Sequence, residues 1–444
     1  MLPERPSAER PVVIVGGGWA GLAAAAELCA HSVPVSLFES ARQPGGRARS
    51  VRAGELTVDN GQHLVAGACQ SLLSLLERIG VDHRQAFLRL PLTLHLLGKG
   101  KPGLRLKAPR LPSPLHLLGA LATARGLSPG ERIQASGFGC KLPALNIGSA
   151  NDISVQALLH SEAQSPAVIR KLWGPLCVAT LNTPAGEASA RIFLRVLQET
   201  LLGPRGHSDL LIPKRGLSEL LPRPCVDYLE HRGAHVETGQ RVTGLSLQNG
   251  GIHGVSVHGR SIHASHVILA TPHVVSRRLM SRHPALRALS AQLAGLGHEP
   301  VTTLYLQYTP QTRLPEPVLG LLDGLSQWIF DRGLCNQPGL MAVVISARGD
   351  HERLSNDVLT AKVAAELATS FPNWPAHRHS LLIREKRATF CSHAGVDSIR
   401  PANSTPVPGL WLAGDYTATG LPATLESAVR SGIGSAQAIL AGLS

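Results

Sequence analysis

The sequence predicts an α/β fold in which a Rossmann-like nucleotide-binding domain, built from separated stretches of chain, is joined to an α+β domain. Three observations predict it: a strand, glycine turn, helix and second strand near the N-terminus; a strand, Gly-Asp turn and helix at the C-terminus; and a run of short strands between them.

The N-terminal unit is "PVVIVGGGWAGLAAAAELCAHSVPVSLFES". Val12 to Val15 form a β-branched run of the kind buried on both faces of a parallel sheet. Gly16, Gly18 and Gly21 match GxGxxG, Ala23 to Leu28 favour helix, and Val35 to Phe38 give a second strand closed by Glu39. Each residue type has a physical task. Gly16 permits a tight turn, Gly18 lets the backbone approach a pyrophosphate, and Gly21 lets helix and strand pack closely. The helix N-terminus supplies N–H donors and partial positive charge to phosphates, and Glu39 can accept from ribose hydroxyls.

The C-terminal unit is "GLWLAGDYTATGLPATLESAVRSGIGSAQAIL", with a short strand over Leu410 to Ala413, the Gly414-Asp415 turn, and a helix from about Pro422 to Leu440. Midway, a helix is expected over 217–232 and strands near 234–238, 241–247, 252–257 and 266–270, divided by turns such as Asn249-Gly250-Gly251. The stretch 81–204 is Leu- and Pro-rich and reads as mostly helical. The stretch 276–399 contains strands and an amphipathic helix near 356–370.

Composition narrows the function classes. With 444 residues the chain is long enough for two packed units. Net charge is +13, yet the arginines are scattered and no basic run reaches five residues. That argues against nucleic acid as a partner and leaves diffuse attraction to an anionic membrane surface as the expectation. The seven cysteines form no CxxC pair and the 20 histidines are dispersed, so no metal site is expected. Residues 12–30 have the length of a membrane span, but three consecutive glycines and Glu27 argue against one. The N-terminus lacks a secretory layout, so a cytoplasmic protein, peripherally membrane-associated at most, is expected.

"ARQPGGRARS", directly after Glu39, carries Gly45-Gly46-Arg47. At that distance from GxGxxG the triplet resembles the second signature of the amine oxidase and phytoene desaturase flavoprotein superfamily. Such proteins bind FAD. The resemblance implies an amine-oxidase-like fold with a discontinuous FAD-binding domain, 1–80, 205–275 and 400–444, and a substrate-binding domain, 81–204 and 276–399. It implies that Arg47 props the flavin and pyrophosphate region, Asp415 bonds a ribityl hydroxyl, and the last helix points its N-terminus at the flavin. It places Gly16, Gly18, Trp19, Ala20, Gly21, Glu39, Ser40, Gly46, Arg47, Gly61, Gln62, Val236, Gly414, Asp415, Thr424 and Leu425 against the cofactor.

Three further stretches narrow the resemblance: "DNGQHLVAGACQSLLSLLERIG", "LWGPLCVATLNTP" with the nearby "ASA", and "WLAGDYTATGLPATLESAVRSG". Together they resemble the hydroxysqualene dehydroxylase family, squalene-associated FAD-dependent enzymes of bacterial hopanoid synthesis. The implied reaction is reductive removal of the allylic hydroxyl of hydroxysqualene to give squalene, with an external electron donor, since no second dinucleotide motif is present. A long isoprenoid is the implied substrate. His63 is the first candidate for the proton donor, because an imidazole titrates near neutrality; it could equally be a histidine bonded to a backbone carbonyl. Asp59 is read as a loop anchor with Asn60 and Gln62 as amide partners, and Tyr416, Asn182 and Glu426 are further candidates for the acid. A phytoene-type carotenoid desaturase and a flavin-loaded isoprenoid carrier without turnover remain alternatives. A small-amine oxidase is disfavoured, because the chain holds only 4 Tyr, 7 Phe and 5 Trp from which to build an aromatic clamp.

Overall fold

The computed structural model describes residues 10–54, 56–148 and 151–443. Its organising element is a five-stranded parallel sheet in the order His235–Thr238, Val35–Glu39, Val12–Val15, His266–Leu269, Leu410–Leu412. The chain leaves the central strand Val12–Val15 toward one edge, then returns to build the other side. Such a reversal opens a crevice at the carboxyl ends of the central strands, where ligands of doubly wound sheets lie.

Val12, Val13, Ile14 and Val15 are all buried, as a β-branched strand covered on both faces should be. The helix Trp19–Ala30 is buried around almost its whole circumference. Its apolar, alanine-rich sequence fits that placement, between the sheet and the final helix Leu425–Leu443. The contact is close enough to require glycine: a Cβ on Gly432 would stand 2.1 Å from the Ala20 carbonyl oxygen. One residue further along helix Trp19–Ala30, a Cβ on Gly21 would meet the Gly16 carbonyl oxygen at 1.9 Å.

A second sheet of seven strands runs His379–Thr389, Glu299–Gln307, Leu340–Ser346, Trp328–Asp331, Val318–Leu322, Thr93–Gly98, Leu104–Lys107. Its neighbours are antiparallel except where Val318–Leu322 meets Thr93–Gly98. A three-stranded antiparallel unit, Val242–Gln248, Gly251–Val257 and Arg260–His263, turns through Asn249-Gly250 and His258-Gly259. All four turn residues have positive φ, the geometry that primed hairpin turns demand.

Three expectations are corrected. The stretch 81–204 contributes the strands Phe87–Leu90, Thr93–Gly98 and Leu104–Lys107 besides its helices. In the last of these Leu104 and Leu106 are buried while Arg105 and Lys107 are exposed, a period-two alternation that the richness in leucine conceals. The helix expected over 217–232 is broken into Leu217–Leu220 and Pro222–His231, because Pro222 forces Leu221 out of helical geometry (φ −134°). The final helix starts at Leu425, not near Pro422, and the Thr424 hydroxyl accepts from the Ser427 N–H at 3.1 Å to cap it. The helix near 356–370 stands at Asn356–Ser370. Among the described residues, no helix is long and apolar enough to cross a membrane.

The Gly432 contact generates a stability prediction. Gly432→Leu should push the final helix off Trp19–Ala30 and destabilise the protein by about 1–3 kcal/mol, as overpacking does. An unchanged denaturant midpoint would show that the two helices are free to separate at this crossing.

Candidate active site

Four segments of chain meet at the carboxyl ends of the parallel strands. The first is the glycine turn. Gly16 has φ +108°, and a Cβ there would lie 2.6 Å from the Ala270 carbonyl oxygen. Gly18 is the N-cap of helix Trp19–Ala30 and has no side chain to occupy the N–H groups of the first turn, which leaves them for an anion. The Trp19 indole N–H donates to the Ala48 carbonyl at 2.8 Å and so ties the second segment, Gly45 to Ala48, to the helix start. Gly46 (φ +58°) faces Gly18 closely enough that a Cβ would stand 3.2 Å from the Gly18 Cα. The two segments thus form a glycine-lined wall where a ligand can approach backbone directly.

At the end of the second strand, Glu39 is buried and accepts from the Gly17 N–H at 2.7 Å and the Ala41 N–H at 2.7 Å. Its carboxylate therefore shapes the turn as well as facing the cleft. Arg47 reaches across to the third segment. Its guanidinium donates to Asp415 Oδ1 at 2.7 Å and to the Ala388 carbonyl at 2.7 Å. Asp415 follows Gly414 (φ +154°), whose N–H donates to the Ser431 hydroxyl at 3.0 Å. The turn is held from behind by Arg400, whose fully buried side chain donates to the carbonyls of Asp415 and Thr417 and to the Thr419 hydroxyl. Thr424 and Leu425, at the start of helix Leu425–Leu443, complete this wall.

The fourth segment is the loop Asp59 to His63. Asp59 is buried, accepts from the Leu217 N–H and the Ser50 hydroxyl at 2.8 Å each, and pairs with the buried Arg332 at 3.0 Å. The Gln62 amide is consumed by the same scaffold: it donates to the Tyr305 hydroxyl at 2.7 Å and accepts from Arg332 at 3.0 Å. Asn60 accepts from the Arg49 N–H. His63 lies at the edge of the cleft, with Nδ1 3.2 Å from the Gly61 carbonyl. A carbonyl only accepts, so Nδ1 carries the hydrogen in this bond and Nε2 is the nitrogen left for a reactant. Burial lowers the imidazole pKa below its ordinary value, opposed by Asp59 and the Gly61 bond and assisted by Arg47.

One cleft is therefore lined by Gly16, Gly18, Trp19, Ala20, Glu39, Ser40, Gly46, Arg47, His63, Gly414, Asp415, Thr424 and Leu425. Gly21, Gly61, Gln62 and Val236 do not line it: Gly21 packs against the turn, Gly61 and Gln62 belong to the loop's support, and Val236 packs half-buried on the core around the first helix. Val242, just past the strand that carries Val236, lines the cleft instead, with Gln240 and Arg241. Thr271 and Pro272 also line it. They follow the strand His266–Leu269, and the rule that strand carboxyl ends face the crevice could have found them. Glu385 and Ala388 come from the second sheet, and no local signal announces them.

The other candidates for the acid are engaged elsewhere. Tyr416 is buried with its hydroxyl 3.1 Å from that of Ser276, and burial raises its pKa far above the useful range. The Asn182 amide donates to the Pro300 carbonyl and the Thr389 hydroxyl and accepts from the Ala347 N–H. Glu426 accepts from the N–H groups of Ser71 and Leu72, capping the helix Gln70–Arg78 that follows the His63 loop, and pairs with Arg430.

The residues fit a flavin dinucleotide on three counts: the uncapped helix start, the facing glycines, and the charged pair Arg47–Asp415 at the junction of the N- and C-terminal segments. The family model of flavin-containing amine oxidoreductases matches residues 19–440. A hydroxysqualene dehydroxylase of Rhodopseudomonas palustris is 28% identical over 97% of this chain and 99% of its own length. Another, of Sinorhizobium fredii, is 28% identical over 95% of this chain and 96% of its own. The solved cyclohexylamine oxidase of Brevibacterium oxydans superposes with a TM-score of 0.66 at 18% identity, covering 98% of this chain and 100% of that one, so the fold is amine-oxidase-like. The chain belongs to the flavin-containing amine oxidoreductase family and is an FAD-dependent oxidoreductase.

Proposed function

We propose that this protein reductively removes the allylic hydroxyl of hydroxysqualene to give squalene. The observation that carries the reading is the similarity, along nearly the whole chain, to hydroxysqualene dehydroxylases. The site supports it in two ways. Tyr305 and Tyr416 are both buried and hydrogen-bonded, so neither is free to clamp an amine. His63 presents an unspent ring nitrogen at the cleft, followed by Leu64, one of the few large apolar side chains left exposed.

A proton joins the hydroxyl oxygen, the C–O bond breaks, water leaves, and the allyl cation accepts a hydride to form the new C–H bond. Reduced FAD, when bound, supplies that hydride. The chain's own groups do the rest. Imidazolium His63 would donate from Nε2 to the hydroxyl oxygen while Nδ1 stays bonded to Gly61 and fixes the ring plane. Asp59, Gln62, Tyr305 and Arg332 hold the loop so that the imidazole does not swing away. Arg47 and Asp415 would hold the cofactor's polar middle. Two electrons per turnover must arrive from an external donor, and the reaction requires that water be kept from the cation.

The direct test is anaerobic turnover of hydroxysqualene by the FAD-loaded protein with a chemical reductant, scored for squalene. Loss of substrate without squalene, or no turnover at all, would overturn the reading in favour of a desaturase or a carrier. His63→Ala should keep the flavin spectrum and lose about 10²–10⁴-fold in dehydroxylation rate, the span of general acid catalysis. The pH dependence has a definite sign. The donor is the protonated ring and burial holds its pKa below 6.5, so His63-dependent activity is full below that folded pKa and declines as pH rises through it. His63→Gln should flatten that limb.

Arg47→Ala should weaken FAD retention by about 10- to 100-fold, in keeping with about 1.5–3 kcal/mol for a charged hydrogen bond. Flavin fluorescence during reconstitution of apoprotein measures it, and unchanged affinity would show that Arg47 does not face the cofactor.

A further inference from the structure

Four of the arginines that the sequence scatters meet at one place. Helices His273–Met280 and Arg287–Ala294 pack together, and a cavity of about 580 Å³ opens on them, lined by Arg277, Arg278, Arg287 and Arg387. Ser281 and Ser290 add polar groups, and among the described residues no carboxylate lines it. Glu385, the acid nearest to Arg387 on its strand, lines the cofactor cleft. Among the described residues none of the four guanidiniums has an ion pair or a side-chain hydrogen bond, whereas Arg47, Arg332, Arg348 and Arg400 are all paired.

A simpler account covers only half of this cluster. Arg277 and Arg278 occupy the last turn of their helix, where cations complement the helix dipole. Arg287 is the first residue of its helix, the end where a cation is unfavourable, and Arg387 stands on a strand of the second sheet. Three separate elements thus bring four solvent-exposed guanidiniums, none of them paired within the described chain, to one open hollow, where a compact polyanion can meet several of them at once. Guanidinium forks match phosphate oxygens two at a time. The cavity also shares a wall with the cofactor cleft, because Val275 and Arg278 line both.

We propose that this cavity is a second anion site, beside the cofactor cleft, that takes a diphosphate group. Two sources carry that chemistry: the diphosphate of a soluble dinucleotide, which would bring reducing equivalents to the neighbouring cleft, and the clustered headgroup phosphates of an anionic bilayer. Only the first source leans on the reductive function proposed above; the anion site itself does not.

Calorimetric titration of the FAD-loaded protein with inorganic pyrophosphate tests it, and the readout is independent of hydroxysqualene turnover. Wild type should bind. Arg277→Ala/Arg287→Ala should bind at least about tenfold more weakly, and Arg287→Glu more weakly still, both with unchanged flavin absorbance. Lys99→Ala/Lys362→Ala, which removes the same charge from exposed positions elsewhere, should match wild type. Absence of pyrophosphate binding by wild type, or equal affinity in the arginine variants, would overturn the proposal. Competition assigns the source. Displacement of pyrophosphate by reduced nicotinamide dinucleotide identifies the soluble one, and displacement by phosphatidylglycerol vesicles identifies the bilayer.

Discussion

The contact between Arg47 and Asp415 joins residues 368 positions apart and ties together the two walls of the cleft that the sheet opens. Each partner sits on a turn that glycine geometry makes possible, Gly45-Gly46 on one side and Gly414 on the other. Neither turn would hold its position alone. Trp19 ties the first to the helix start, and the buried Arg400 gathers the carbonyls of the second. A guanidinium removed from water needs its donors satisfied, so burying Arg400 beneath the turn forces those carbonyls to converge on it. Convergence in turn aims Asp415 outward, toward Arg47. The parallel sheet supplies a place for a ligand, and this chain of charged contacts turns the place into a two-walled cleft.

The loop that carries His63 obeys a second constraint. Asp59 and Arg332 form an ion pair that is nearly solvent-free, and removing either partner from such a pair strands the other charge at a cost of about 3–5 kcal/mol. Gln62 and Tyr305 complete the same network. The two possibilities that the sequence leaves open for His63 are thereby compatible. One ring nitrogen is bonded to a backbone carbonyl, as in a structural histidine, and that bond is what orients the other. Glu426 plays the matching role at the next element, fastening the helix after the loop to the start of the last helix.

Local physics made part of this legible in the sequence. The glycine turn, the GGR triplet and the Gly-Asp turn each depend on backbone geometry that only certain residues allow, and each stands where its motif is read. Legibility fails where a residue acts through a partner distant in sequence. Gln62 reads as an amide partner for the flavin or backbone until Arg332 and Tyr305 surround it. Val236 is the position that the resemblance assigns to the cofactor, yet the strand is short and the chain reaches the cleft only from Gln240 to Val242. Glu385 and Ala388 arrive from another sheet. Strands at 93–98 and 104–107 were hidden because leucine is common to helical and extended patterns, and only alternating exposure separates them.

Charge shows the same limit most sharply. A net charge of +13 with no basic run reads as a diffuse field, and a diffuse field attracts without discriminating. Folding changes its meaning, because Arg277 and Arg278, Arg287, and Arg387 reach one cavity from three elements. Concentrated there, the same charges favour a compact polyanion over a dispersed one, since attraction grows as separation falls and guanidinium geometry rewards paired oxygens. The wall shared through Val275 and Arg278 then gives the cavity an electrostatic reach into the cofactor cleft. An anion seated on it would soften the positive field at that end of the cleft, so occupancy of the one site would bear on the charge balance of the other.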